Sequence, residues 1–89
     1  MSKYEVKMRR VFLDEIDPVT KYQAYYDLIT ATRGNRRAEI HDYPKWRNRT
    51  DVLLQYRTGD YPESWEQEGW RHVFDEYEKA RRFAESWLR

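Results

Sequence analysis

Eighty-nine residues and 11.1 kDa fit one domain, and the absence of cysteine excludes disulfides, thiolate metal sites and thiol nucleophiles. Seventeen basic residues against sixteen acidic ones leave a net charge of +1, so no global field steers the chain to nucleic acid or membrane. Four Trp, eight Tyr and three Phe make 17% of the chain, a composition that excludes disorder.

In chain order, Tyr4, Val6, Met8, Phe12 and Ile16 fall on even positions, and Lys3, Glu5, Lys7 and Arg9 fall on odd ones. That period of two predicts a strand over about 4–16. Residues 20–33 carry two patterns. Tyr22, Tyr25, Tyr26 and Ile29 would line one helix face behind an Asp17-Pro18 start. Three Tyr, one Ile and three Thr in the same stretch favour a strand. Gly34-Asn35 reads as a two-residue hairpin turn. Strands over about 36–43 and 51–57 follow, closed by Pro44 and Gly59.

Further along, Trp70, Val73, Tyr77, Ala80, Ala84 and Trp87 recur at spacings of three and four, with Phe74 and Leu88 beside them. Trp65 and Phe83 align on the margin of this stripe. The pairs Arg71–Asp75, Asp75–Lys79 and Glu78–Arg82 occupy the other face. Asp60 or Ser64 can cap the start, Pro62 is tolerated there, and Glu63, Glu66 and Glu68 suit a helix N-terminus. A helix over about 62–88 is predicted, roughly 40 Å long. The expected fold is α+β: a single domain over 1–89, with a small antiparallel meander of three to four strands over about 3–57 packed on one long C-terminal helix. Keeping residues 18–33 helical gives the alternative, β-α-β-β-α.

Charge is uneven. Residues 33–49 hold Arg33, Arg36, Arg37, Lys45, Arg47 and Arg49 against Glu39 and Asp42, a local +4, while residues 60–89 carry −3. With Tyr43 and Trp46 interleaved, this segment has the ingredients of a single-strand nucleic-acid surface. On the strand reading, however, its cations split into two spots about 25 Å apart, Arg33, Arg36 and Arg37 at one end and Lys45, Arg47 and Arg49 at the other. Two spots suit an acidic protein partner better than a phosphate track. Val11 and Leu13 fall on the outer face of the first strand, and Tyr25, Ile29 and Leu53 are placed there too, which predicts an apolar interface patch.

Enzyme chemistry finds little foothold. His41-Asp42 pairs an imidazole with a carboxylate, but strand neighbours point to opposite faces. His72 and Glu76, one helical turn apart, supply two metal ligands where zinc needs at least three from protein. No phosphate-loop, GxGxxG, HExxH or CxxC pattern occurs. The expectation is no enzyme, no metal and no cofactor.

No motif carries a family resemblance. The Trp-, Tyr- and Arg-rich, cysteine-free build resembles small accessory proteins of phages and mobile elements, and that resemblance implies binding and inhibiting a larger host complex. The expected function is therefore a non-enzymatic protein-binding module. An RNA- or single-stranded-DNA-binding domain using residues 33–49 is the alternative, and a homodimer is allowed. No apolar run exceeds three residues, so no membrane partner is expected. The opening MSKYEVKMRR lacks the apolar stretch of a secretory signal, which makes the cytoplasm the expected compartment.

Overall fold

Alternation of charged and apolar side chains carries β1 through Glu5–Ile16 in the computed structural model, which describes residues 5–59 and 64–89. β2 (Gln23–Arg33), β3 (Arg36–Asp42), β4 (Thr50–Arg57) and β5 (Trp65–Phe74) follow, each antiparallel to the one before it. A 3₁₀ turn at Lys45–Arg47 joins β3 to β4, and α1 (Tyr77–Leu88) comes last. The fold is α+β, a five-stranded meander in the order β1-β2-β3-β4-β5 with one helix on one face. Lys3, Tyr4, Asp60, Pro62 and Glu63 lie outside the described residues.

Residues 23–33 are strand, which removes the β-α-β-β-α alternative. Asp17, the residue suited to cap a helix there, organises a tight turn instead. Its Oδ1 accepts from the backbone N–H of Val19 at 2.8 Å and of Thr20 at 3.1 Å, and its own N–H donates to the Tyr22 carbonyl at 2.7 Å. Lys21 completes the reversal at a φ of +69°. At the next turn Gly34 takes a φ of +59°, the left-handed conformation that a two-residue hairpin demands and glycine adopts freely.

The predicted helix over 62–88 is the main correction. Residues 65–74 form β5, and α1 has 12 residues, about 18 Å. Gly69 sits at a φ of +73°, in a bulge where Leu53 alone opposes the segment between Glu68 and His72. Trp65, Trp70, Val73 and Phe74 around it are strand formers. The helical spacing of Trp70 and Val73 is fortuitous: they are 85% and 59% exposed, not core. Ser64 caps nothing, and its carbonyl accepts from the Thr58 N–H at 2.9 Å. Of the three ion pairs expected on the helix surface, Asp75–Lys79 is present at 3.2 Å, Arg71 bonds Asp51 within the sheet, and Glu78 pairs with Arg81 at 2.8 Å in place of Arg82.

Cross-strand register places Ile29, Ile40, Val52 and His72 in one row, and Ala31, Ala38 and Leu54 in the next, on the face that α1 covers. Small residues let the helix approach closely: Ala38, Ala80 and Ala84 are buried, ringed by Phe74, Tyr77, Phe83 and Trp87. The Trp87 indole donates to the Gln55 carbonyl at 3.0 Å, which fixes the helix end on β4. α1 packs on β3, β4 and β5, and β1 lies at the far edge. Among the described residues no helix is long and apolar enough to cross a membrane.

Candidate functional site: the open sheet face

Alternation along every strand sends a second set of side chains to the face away from α1. Lys7, Thr30, Glu39 and Leu53 form one row there, Arg9, Leu28, His41, Asp51 and Val73 a second, and Glu5, Thr32, Arg37, Gln55 and Gln67 a third. Lys7, Arg9, Arg37, Thr30 and Thr32 line an open groove of about 620 Å³ beside Leu28. Arg57, paired with Trp65, adds another cation. With Arg49 and Arg71 joined through Asp51, six cations meet three carboxylates among the described residues of this face, a local +3 apart from His41. Charge that is nearly balanced overall, at +1, is therefore segregated by the fold.

The carboxylate at the centre is Asp51, with 0% exposure. Arg49 reaches it through Nε at 2.8 Å and Nη2 at 3.0 Å, and Arg71 through Nη1 at 2.7 Å. Burial pushes the Asp51 pKa up, but the hydrogen bonds and charges of Arg49 and Arg71 outweigh it and hold the carboxyl below its ordinary value. Both arginine side chains stay almost half exposed, at 47% and 42%. They are pinned yet accessible. Nearby, the His41 ring stacks on Tyr26 at 4.7 Å, and Tyr43 lies 5.4 Å from the same Tyr26 ring.

The segment singled out from sequence divides by role. Tyr43 and Arg49 border the open face, with the Arg49 guanidinium 5.4 Å from the Tyr43 ring. Trp46 is pinned: its Nε1 donates to Asp17 Oδ2 at 3.0 Å, and it remains 40% exposed. Burial pushes the Asp17 pKa up, but bonds from Thr20, Val19 and Trp46 and the Arg47 charge more than offset it, so the carboxyl sits low. Arg47 pairs with Glu15 at 3.3 Å, and Lys45 makes no ion pair among the described residues. At the other end, Arg33 donates to the Leu88 carbonyl at 3.1 Å and Arg36 to the Trp87 carbonyl at 3.0 Å. These two arginines satisfy the C-terminal carbonyls of α1, where cations also complement the helix dipole. Only Arg37 of that trio belongs to the open face, bonded to Gln55 and laid over Trp65 at 4.5 Å.

The expected outer apolar patch is split. Val11 lies on the open side of β1 and Leu53 on the open side of β4, while Leu13 falls within the register shift between Phe12 and Ile16. Tyr25 and Ile29, by contrast, share the helix side with Phe12 and Met8, their register partners. Ile29 packs against the core, and Tyr25 meets Phe12 and carries the Arg10 guanidinium 4.0 Å above its ring. The parity of β2 relative to β1 is fixed by the loop between them, which no local pattern reveals.

His72 packs against Phe83 at 4.5 Å from β5, while Glu76 precedes α1, so the two do not share a helical turn. Among the described residues no group of three or more His, Asp or Glu could hold a metal ion. Sequence reading missed Lys7, Arg9, Arg57 and Arg71. The odd-position cations of β1 were visible, but their convergence with β3 and β5 depends on the five-strand register. No family model matches the chain, and no curated protein or solved structure is recognisably similar to it.

Proposed function

We propose that the protein is a small non-enzymatic protein-binding module whose open sheet face docks an acidic partner. The observation that carries this reading is the +3 face, left uncovered by the only described helix and built around the Arg49–Asp51–Arg71 cluster. Arginines held by a carboxylate lose little freedom on meeting a second acidic group, and the guanidinium fork suits carboxylates. Trp70, 85% exposed beside Arg71 at the β5 bulge, supplies the kind of aromatic anchor that interfaces concentrate their energy in. Docking would occlude the partner's acidic surface, the action expected of an accessory protein that inhibits a larger complex.

Single-stranded nucleic acid is the weaker reading, because a strand stacks on several free aromatic faces and, apart from the exposed Trp70, the rings near the open face are already engaged. Trp65 carries Arg37 and Arg57 at 4.5 and 5.0 Å, Tyr26 carries His41, and Trp46 is fixed by Asp17. Fluorescence anisotropy with labelled oligoglutamate and labelled oligothymidylate separates the two. Oligoglutamate should bind, and Lys7→Ala with Arg37→Ala should lose roughly tenfold in affinity, about 0.7 kcal/mol per charge. Tighter oligothymidylate binding, with a loss of a hundredfold or more between about 50 and 200 mM salt, would establish the nucleic-acid reading instead.

A further inference from the structure

β1 is an edge of the sheet: β2 pairs one side, and no described strand pairs the other. Its side chains are largely exposed, including Met8 at 70%, Phe12 at 59% and Ile16 at 66%. Long exposed edges template pairing with another chain, and proteins guard them with charge or with a bulge. β1 has both, since its register with β2 shifts between Phe12 and Ile16. Guarding, however, requires only charge. It does not require the order found here, which from Met8 to Ile16 runs apolar, two cations, Val-Phe-Leu, two carboxylates, apolar.

We infer that the protein forms a two-fold homodimer by antiparallel pairing of β1 with β1 of a second copy, centred on Phe12. In that register Phe12 faces its own copy, Val11 meets Leu13, Arg10 meets Asp14, Arg9 meets Glu15 and Met8 meets Ile16. Every cross-strand pair is apolar with apolar or opposite in charge, the combinations that stabilise a sheet. Neighbouring registers lose this. Centring on Val11 sets Met8 against Asp14 and Arg9 against Leu13. Centring on Leu13 sets Phe12 against Asp14 and Arg10 against Ile16. A parallel arrangement in register puts each charge against itself, and a one-residue shift pairs the helix side of one copy with the open side of the other.

The charges are positioned for it. Arg9 and Asp14 make no ion pair among the described residues, while Arg10 and Glu15 hold Asp27 and Arg47 at 2.9 and 3.3 Å in exposed pairs that a second copy would extend. The two-fold axis stands perpendicular to the sheet, so both open faces point the same way. This contact uses the strand edge and shares only Arg9 and Met8 with the lining of the open-face groove.

Sedimentation equilibrium of the full chain tests it. The mass should rise from 11.1 kDa toward twice that value with concentration at low ionic strength, and salt should weaken the association. Arg9→Glu with Arg10→Glu makes this stretch of β1 wholly acidic, and Asp14→Lys with Glu15→Lys makes it wholly basic. Each variant alone should be monomeric, and their equimolar mixture should dimerise, because every opposed pair is then complementary. Circular dichroism checks that each is folded. Arg9→Glu alone, which breaks no ion pair within its own chain, should still weaken the dimer about tenfold. A wild-type chain that stays monomeric, dimers that persist in both charge variants, or a mixture that stays monomeric would overturn the inference.

Discussion

At Asp51 a buried carboxylate is held between two arginines that water still reaches. Its pKa is depressed in the folded state, so the folded chain binds that proton less readily than the unfolded chain does. The resulting stabilisation is present above the unfolded pKa and is lost as pH falls through the folded one. Asp51→Asn should therefore cost about 2 kcal/mol at pH 7, the scale of charge-assisted hydrogen bonds discounted for half-exposed partners. The cost should shrink on acidification, where the wild type forfeits the same interaction. Urea denaturation at neutral and acidic pH measures both, and a pH-independent cost would remove the electrostatic explanation. Arg49–Asp51 was readable in principle, since i and i+2 share a strand face. Arg71 was not, because the three-and-four spacing around it mimics a helix where the chain forms β5. Arg33 and Arg36 reach carbonyls more than fifty positions away. Local sequence marks them only as basic.

Among the elements, β1 and the Gly34 hairpin were legible because each rests on a local rule, alternation in one case and turn chemistry in the other. β5 was hidden by a stripe in which strand and helix periods coincide over a few residues, and Gly69 was the one signal against continuing the helix. Trp70→Ala should leave thermal melting nearly unchanged, because the side chain is 85% exposed. Trp87→Ala should cost about 3–5 kcal/mol, since the indole packs on the core and donates to Gln55. Equal losses in both variants would contradict the strand assignment. Gly69→Ala asks the backbone to keep a φ of +73° with a side chain, and about 1–2 kcal/mol of destabilisation is expected from denaturant titration. A neutral or stabilising result would mean that the bulge is not held.

For the molecule as a whole, a balanced chain becomes polarised by register alone. Alternate residues of β1, β3 and β4 carry cations to the face that α1 leaves open, while the helix side buries alanine and aromatic side chains. Net charge computed from sequence hides this segregation, and the +4 of residues 33–49 misplaces it. Part of that charge caps the helix, part is tied to Glu15, and the open face is completed by residues from β1 and β5. Attraction between exposed charges fades beyond a Debye length, so acidic ligands should bind this face more weakly as salt rises.

The most direct measurement is an amide chemical-shift titration of isotopically labelled protein with oligoglutamate at low salt. The open-face account predicts that Lys7, Thr30, Arg37, Glu39 and Arg71 move together while amides of Ala80 to Leu88 stay still. Shifts concentrated along α1 and near Arg33 and Arg36, with the open-face rows unmoved, would contradict it.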